Sequence, residues 1–262
     1  MTAPLLLAID IGNTNTVFAV CEGDTVRGQW RAATKTERTA DEYAVWLMQL
    51  MGLAGIEGGA IGDAIVSSVV PESTYNLVTL CRRYFGCNPI RVAEIDDIGI
   101  EIAVDRPHDV GDDRLVNAIG AHARYPGALV VIDFGTATTF DIVGADGAYR
   151  GGVIAPGVNL SVEALHMAAA KLPRVAVRRP AAVIGHSTVG AIQSGIYWGY
   201  VSLIEGMVDR IKRACAEPMT VVATGGLAPL FEAATPVIEH VDPDLTVRGL
   251  VSLHRGVREA RP

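Results

Sequence analysis

The sequence predicts an α/β protein built from two similar halves, and three observations support this. Half of the 262 residues are apolar, with no charge block or low-complexity run, so the chain can bury one large core or two smaller ones. Short apolar runs alternate with segments of helical periodicity, a pattern typical of sheets covered by helices on both faces. A strand–turn–strand pattern near the start recurs 123 residues later. We therefore expect a duplicated, two-lobed fold with a central cleft.

The repeat is visible in residues 6–20 and 129–143. In each copy an apolar strand leads into Asp-x-Gly and a short polar run, and a second apolar strand follows. A polar turn and a third extended segment come next, at 26–30 and at 149–154. Within the turn itself three residues coincide at the constant offset: Asp10 with Asp133, Gly12 with Gly135, and Thr16 with Thr139.

The segments between and after the two copies carry the remaining elements. Helical spacing predicts helices at 40–51, 72–85, 114–125, 161–171 and 188–216. Ser161 and either Ser187 or Thr188 are the expected caps of the last two. Apolar runs predict buried parallel strands at 64–69, 90–92 and 220–223. We place the boundary between the lobes near residue 118, within about ten residues, which gives lobes 1–118 and 119–262.

The composition argues against several classes of function. A formal charge of −7 and a pI of about 5.4 disfavour a nucleic-acid or anionic-membrane partner, since both normally need a basic patch. The cysteines and histidines form no metal-ligand pattern such as CxxC or HExxH. The start of the chain reads as a buried strand and not as a signal peptide, and no apolar run is long enough to cross a membrane. We expect a cytoplasmic protein.

A carboxylate at a strand end, followed by glycine and a polar run, suits phosphoryl transfer. Gly12 permits a tight turn that brings backbone N–H groups close to phosphate oxygens, and the polar residues 13–16 add donors without negative charge. Asp10 would hold a hydrated Mg²⁺ that bridges the β and γ phosphates. One such loop is also compatible with an ordinary strand turn. Two loops at matching positions favour the phosphate interpretation.

Two further motifs fit a nucleotide-dependent reaction, and each has an ordinary structural alternative. Thr-Gly-Gly at 224–226 ends an apolar strand before a helix at 227–234, where a base or ribose could lie against the backbone. A close strand-to-helix crossing would give the same pattern. Asp112 and Asp113 precede a helix, where a carboxylate could accept a hydroxyl proton or could simply cap the helix. The sequence leaves open which of the two would be the base. Ser67 and Ser68 match no nucleophile motif.

Together these loops resemble the phosphate and adenosine motifs of the actin, Hsp70 and sugar-kinase superfamily, whose fold is actin-like (ribonuclease H-like). Within it, the chain is similar over nearly its whole length to the type III pantothenate kinases. The segments that carry the resemblance are Asp10-x-Gly-Asn-Thr-Asn, Gly111-Asp-Asp-Arg114-Leu-Val-Asn, Asp133-Phe-Gly-Thr-Ala-Thr-Thr-Phe-Asp, Gly151-Gly-Val-Ile-Ala-Pro-Gly157, and Thr188 with Ser194-Gly195. It implies ATP-dependent phosphorylation of the primary hydroxyl of pantothenate to 4′-phosphopantothenate, the first step towards coenzyme A.

The resemblance also implies roles for single residues. ATP contacts would come from Asp10, Ile11, Gly12, Asn13, Thr14, Asn15, Thr16, Val17 and Thr136. Pantothenate contacts would come from Gly111, Asp112, Asp113, Arg114 and Thr188. Asp113 would be the catalytic base, Asp10 would lie near Mg²⁺, and Asp133 would bind a monovalent cation, K⁺ or NH₄⁺. The family also implies a homodimer.

One position departs from the family pattern, and alternatives within the superfamily stay open. Val104 stands where many relatives have an aromatic residue that lines the substrate pocket. Another small-molecule kinase, or a phosphohydrolase without a hydroxyl acceptor, would share the same fold. A non-catalytic, nucleotide-binding transcription accessory factor is the alternative from a different functional class, although its basic DNA-reading surface is not visible in the sequence.

Overall fold

The computed structural model describes residues 4–168 and 172–260, which form two compact units. The first unit holds the described parts of Met1–Glu101, Asp105–Ala123 and Leu245–Pro262. The second holds Ile102–Val104 and the described part of Arg124–Asp244. The lobe boundary and the central cleft expected from the sequence remain predictions.

The first unit contains a mixed five-stranded sheet. Its strands are β1 (Leu5–Ile11), β2 (Asn15–Glu22), β3 (Thr25–Ala33), β4 (Ile61–Ser68) and β5 (Ile90–Arg91). They lie in the order β3-β2-β1-β4-β5. β2 is antiparallel to both of its neighbours, β1 and β3, whereas β4 and β5 run parallel to β1. The apolar runs predicted as buried parallel strands therefore join the sheet as expected.

The second unit repeats this sheet. Its strands are β6 (Ala128–Phe134), β7 (Ala137–Val143), β8 (Tyr149–Pro156), β9 (Met219–Gly225) and β10 (His240–Val241). The order β10-β9-β6-β7-β8 has the same connectivity and the same strand directions as the first sheet. The α/β class and the duplication predicted from the sequence are confirmed.

Seven α-helices are found in the described part of the chain. In chain order they are α1 (Ala40–Leu53), α2 (Pro71–Tyr84), α3 (Asp112–Arg124), α4 (Val158–Ala168), α5 (Thr188–Cys215), α6 (Ala228–Glu232) and α7 (Leu245–Glu259). In the first unit, α1 and α2 bury their apolar sides in one cluster with Ile9 and Val66. On the other face, α3 and α7 pack in a second cluster with Ala8 and Ile65. Alternate residues of β1 and β4 therefore face different helix pairs.

The helix α4 begins three residues earlier than predicted. Ser161 was the expected cap, but α4 starts at Val158 and the N–H of Ser161 already donates to the Gly157 carbonyl at 2.9 Å. The Ser161 hydroxyl is instead 2.5 Å from the Tyr200 hydroxyl on α5, so it serves a contact between helices. The structure describes α4 to Ala168, and the predicted remainder at 169–171 lies outside the described residues.

The strand register also corrects the alignment of the repeat. Ile11 pairs with Thr16 across the first turn, whereas Phe134 pairs with Thr138 across the second. The second turn is therefore one residue shorter, so Thr138, and not Thr139, is the structural counterpart of Thr16. Both counterparts are fully buried.

Candidate active site

The first turn places Asp10 and Gly12 at the end of β1. The Gly12 N–H donates to the Asn15 carbonyl at 3.0 Å and closes the turn. Thr34, directly after β3, donates its hydroxyl to the Gly12 carbonyl at 2.7 Å, and its N–H donates to the Thr14 carbonyl at 3.0 Å. The turn is thus stabilised by one hydrogen bond within its own backbone and by two hydrogen bonds from Thr34.

The residues predicted to contact ATP differ in exposure along this turn. Ile11 and Thr16 are fully buried, so their side chains belong to the interior. Asn13, Thr14 and Asn15 are exposed, and Asp10, Gly12 and Val17 are half-buried. An anion at this turn would meet backbone N–H groups and short polar side chains, which is how glycine-rich turns bind phosphate.

The second turn also begins with an aspartate and a glycine, Asp133 and Gly135, but different residues pack around it. The Gly135 N–H donates to the Ala137 carbonyl at 3.0 Å, and Thr136 at the tip is exposed. Asp133 lies against the end of β9: a Cβ built on Gly225 would stand 2.8 Å from its Oδ1 and 2.7 Å from the Phe134 carbonyl oxygen. Because Gly225 also has a φ of +90°, only glycine fits this crowded position without strain.

The Gly111–Arg114 motif forms the start of α3. The Gly111 carbonyl accepts the N–H of Arg114 at 3.1 Å, and Asp113 Oδ1 accepts the same N–H at 2.9 Å. The Asp112 carboxylate accepts the backbone N–H of Ser68, at the end of β4. Since β4 pairs with β1 in parallel, the first turn and the Gly-Asp-Asp-Arg motif are brought to the same edge of one sheet.

Burial changes the acidity of both aspartates. It raises the pKa of the Asp113 carboxyl above its ordinary value, and the Arg114 N–H and positive charge only partly oppose this shift. Burial is also the main cause of the raised pKa of Asp112, the negative charge of Asp113 adds to it, and the Ser68 N–H opposes it. A carboxylate with a raised pKa is a better proton acceptor than an exposed one, which is the property that a general base needs.

Thr188 lies in the second unit, as the first residue of α5. Ser187 caps the helix by accepting the Gly190 N–H at 3.1 Å, which confirms one of the two caps predicted from the sequence. Thr188 and His186 line a cavity of about 770 Å³, whose apolar wall includes Leu165 and Ile192. A cavity of this size and mixed lining is typical of small-molecule sites.

Val104, the departure from the family pattern, is attached to β8. Ile102 forms a bridge with Tyr149, and the Ala103 N–H donates to the Tyr149 carbonyl at 2.8 Å. Val104 Cγ1 is 3.6 Å from the position that a Cβ on Gly151 would take. The segment therefore follows the edge of the second sheet.

The sequence analysis missed the hydroxyls that flank the two loop aspartates. Ser67 pairs in register with Asp10 across β1 and β4, and Thr224 pairs with Asp133 across β6 and β9. Both are buried. The repeat itself was the available signal, because a hydroxyl residue stands at the same place in the strand that pairs in parallel with the first strand of each half.

Within residues 4–168 and 172–260, no group of three or more His, Cys, Asp or Glu residues could hold a metal ion. The Asp10 carboxylate at the end of β1 is compatible with Mg²⁺, which usually takes one or two protein carboxylates and completes its shell with water and phosphate oxygens. Among the same described residues, no helix is long and apolar enough to span a membrane.

A duplicated α/β fold with an aspartate–glycine turn in each half is the actin-like fold. Solved structures agree on the fold, which is all that they show at their low identity. A Campylobacter jejuni protein assigned to the Baf family of transcriptional activators has a TM-score of 0.62 at 17% identity, covering 97% of this chain and 99% of its own. An activator of 2-hydroxyisocaproyl-CoA dehydratase from Clostridium difficile, solved with ADPNP bound, has a TM-score of 0.55 at 13% identity, covering 98% of both chains.

The sequence comparisons are more specific. The sequence model described as type III pantothenate kinase matches residues 6–210. A type III pantothenate kinase from Paramagnetospirillum magneticum is 62% identical over 252 residues, which cover 96% of this chain and 97% of that relative. The chain therefore belongs to the type III pantothenate kinase family.

Proposed function

We propose that this protein transfers the γ-phosphoryl group of ATP to the primary hydroxyl of pantothenate, giving 4′-phosphopantothenate and ADP. Membership of the family supports the substrate. The observation that carries the chemistry is the half-buried start of α3, where Asp113 has a raised pKa and lies at the same sheet edge as the Asp10 turn. Transfer to an alcohol needs a base at the hydroxyl and donors at the phosphates, and this edge offers both.

In this mechanism Asp113 accepts the hydroxyl proton as the oxygen attacks the γ phosphorus, and ADP leaves with the bridging oxygen. Gly111, Asp112 and Arg114 surround the acceptor side of the reaction. Arg114 stabilises negative charge there, either on the substrate carboxylate or on the phosphoryl group. The raised pKa of Asp113 favours proton uptake during the attack.

We propose that residues Asp10 to Val17 of the first turn and Thr136 of the second turn contact ATP. The backbone N–H groups and the exposed side chains of the first turn meet phosphate oxygens. Asp10 would hold Mg²⁺ through water, and the ion would supply positive charge that stabilises the phosphate groups during transfer.

A monovalent cation, K⁺ or NH₄⁺, is proposed at Asp133. The Asp133 carboxylate and the Phe134 carbonyl oxygen converge on Gly225, and a side chain there would fill the space that they border. Oxygen ligands of this kind suit a hard cation. The ion would balance the negative charge of the Asp133 carboxylate beside the second turn.

We also propose that the protein is located in the cytoplasm and forms a homodimer. The two subunits would meet through the face around Thr188. Exposed apolar side chains occur on α4 and in and just before the start of α5, close in sequence to the residues that line the Thr188 cavity, and apolar surface of this kind marks interaction sites. They are Leu160, Leu165, Met167, Val183, Ile184 and Val189. Sedimentation velocity tests the assignment: Ile184→Asp should shift the protein to monomers, whereas Leu53→Asp, equally exposed on the first unit, should not. A dimer that survives Ile184→Asp would contradict it.

The activity is tested by measuring ADP release from the purified protein with Mg·ATP, with and without pantothenate, in K⁺ and in Na⁺. We expect turnover that requires pantothenate and is faster in K⁺. A panel with sugars, carboxylic acids and polyphosphate separates the alternatives. ADP release without any acceptor would indicate a phosphohydrolase, and turnover with a sugar or acid but not with pantothenate would contradict the proposed substrate.

A further inference from the structure

Ser67, near the end of β4, carries a hydroxyl whose burial has no explanation in the fold alone. The residue is fully buried, and its Oγ has no hydrogen-bond partner among the described residues. Leaving such a group unpaired costs stability, so buried hydroxyls are normally bonded or serve a ligand. An alanine would fill the same site without this cost.

The strand register places the hydroxyl beside Asp10. Ser67 and Asp10 are direct neighbours in the parallel pairing of β4 and β1, as are Ile65 and Ala8 two residues earlier. Ile65 and Ala8 both belong to the apolar cluster that faces α3 and α7. Because side chains alternate along a strand, Asp10 and Ser67 point to that same face.

This face is also the one on which the predicted base stands. Ser68, the next residue, donates its backbone N–H to Asp112 in the first turn of α3. The hydroxyl of Ser67 therefore lies between the carboxylate expected near Mg²⁺ and the helix start expected to activate the acceptor. Paired strands are about 4.8 Å apart, which a serine Oγ and an aspartate Oδ can bridge by side-chain rotation.

The second unit repeats the arrangement. Thr224 on β9 pairs in register with Asp133 on β6, and it is only 3% exposed. A hydroxyl thus flanks the loop aspartate in each half of a duplicated fold. If Ser67 merely filled space, an aliphatic side chain would serve equally well at both positions.

We propose that Ser67 is a positioning residue for the phosphate end of ATP. In the free protein this hydroxyl has no partner among the described residues; when Mg²⁺ and the nucleotide bind, it turns to donate to the Asp10 carboxylate and holds that carboxylate in the orientation that receives the hydrated ion. This inference rests on the proposed ATP-binding role of the first turn. It concerns a residue outside the segments that carry the family resemblance.

The test compares Ser67→Ala with Ser73→Ala. Ser73, in the first turn of α2 of the same unit, is 1% exposed and its Oγ also lacks a partner among the described residues, so the chemical change is the same. Both variants should keep or slightly raise the melting temperature, because each removes an unpaired buried hydroxyl. Ser67→Thr, which keeps a hydroxyl as Thr224 does, is the third variant.

The main measurement is a Mg²⁺ titration of the binding of a non-hydrolysable ATP analogue by calorimetry, without pantothenate. Ser67→Ala should need about tenfold more Mg²⁺ for half-saturation, since a hydrogen bond to a charged group is lost. Ser73→Ala should match the wild type, and Ser67→Thr should stay within about twofold of it. The Mg²⁺ dependence of ADP release should shift by the same factor.

Two outcomes would overturn the proposal. One is a Ser67→Ala protein with the same Mg²⁺ requirement as Ser73→Ala. The other is an equal shift in Ser67→Thr and Ser67→Ala, which would show that shape and not the hydroxyl matters. Failure of the proposed function is distinguishable, because a wild-type protein that binds the Mg²⁺–analogue complex without phosphorylating pantothenate would contradict the substrate alone.

Discussion

The two loops of the duplicated fold begin with the same residues and are held in place by different means. In the first, Thr34 follows β3 and its hydroxyl bonds to the Gly12 carbonyl at 2.7 Å. In the second, the residue after β8 is Gly157, and a Cβ there would stand only 2.1 Å from the Thr136 carbonyl oxygen. A side chain anchors one turn, whereas close backbone packing anchors the other.

The difference follows from the length of the turns. Four residues connect the last paired positions of β1 and β2, but only three connect those of β6 and β7. The longer turn leaves space that a threonine side chain fills with hydrogen bonds. The shorter turn lies so close to the next strand that only glycine can follow it. Duplication therefore preserved the aspartate and glycine of each turn but not the way in which each turn is supported.

The acidic residues near the starts of α3 and α7 differ in a similar way. Asp242, shortly before α7, is buried and its Oδ2 lies 3.4 Å from Arg124 Nε, and its Oδ1 accepts the Asp244 N–H at 3.1 Å. It has the partners of a structural carboxylate. Asp113, in the first turn of α3, has a neighbouring N–H but a pKa that burial raises, and this difference supports its proposed role in proton transfer.

The largest effect is expected from Asp113→Asn. Removal of a general base typically costs 10²- to 10⁴-fold in rate, so we expect kcat to fall about 10³-fold with the KM for ATP little changed. Asp112→Asn is the matched control and should lose less than about tenfold, because its carboxylate bonds to Ser68 and does not receive the proton. Steady-state ADP release measures both. A larger loss in Asp112→Asn would assign the base to Asp112.

Although Asp113→Asn should lower the activity, it should raise the stability of the fold at neutral pH. A carboxyl whose pKa is raised in the folded state favours folding fully only below its unfolded pKa, and this contribution is lost as the pH rises through the folded pKa. At pH 7 the ionised Asp113 therefore destabilises the fold, and Asp113→Asn should unfold at a higher temperature than the wild type. The difference should shrink as the pH falls towards about 4. A difference in melting temperature that does not change with pH would contradict the raised pKa.

Gly157→Ala should disrupt the second turn without touching the first. The new methyl group would collide with the Thr136 carbonyl, and the backbone has to move to relieve the contact. Overpacking of this kind costs about 3 kcal/mol, and a displacement of about 1 Å at a reacting site can lower kcat about 100-fold. Gly199→Ala is the control: nothing lies within 4 Å of its Cβ on α5, so it should stabilise by about 0.5–1 kcal/mol. Wild-type kcat in Gly157→Ala would show that the second turn tolerates the shift.

The sequence predicted well those features that depend only on neighbouring residues, such as helix starts. The start of α5 was expected at Thr188 with Ser187 as a possible cap, and the structure has both, because capping involves neighbouring residues only. The same rule failed at Ser161, where the helix begins at Val158 behind a glycine without a capping side chain. There the local signal was genuine, but the hydroxyl bonds to Tyr200 on another helix.

What the sequence could not supply is pairing between distant segments. The motif at Asp10 and the motif at Gly111–Arg114 could be located from their own residues. Their meeting at one sheet edge depends on β4, whose Ser67 pairs with Asp10 and whose Ser68 bonds to Asp112. The alignment of Thr16 with Thr139 was wrong for the same reason, because one residue less in a turn changes the register without altering the pattern of polar and apolar residues.

The smallest expected effect, a change in stability when one buried threonine hydroxyl is removed from each loop, compares the two loops most directly. Thr16 and Thr138 occupy the same register position and are both fully buried. The Thr16 hydroxyl is 3.0 Å from that of Thr34, and since Thr34 donates to Gly12, Thr16 is the donor of this contact. The Thr138 hydroxyl has no partner among the described residues.

Replacing each threonine by valine keeps the shape and removes only the hydroxyl. Thr16→Val should lower the free energy of unfolding by about 1 kcal/mol, because it breaks the chain of bonds that supports the first turn. Thr138→Val should leave it unchanged or raise it by up to about 1 kcal/mol, because it removes an unpaired polar group from the interior. Chemical denaturation of both variants measures the difference, and equal losses would mean that the two turns are supported alike. A Thr138→Val protein of unchanged stability but weaker nucleotide binding would instead assign that hydroxyl to the phosphates.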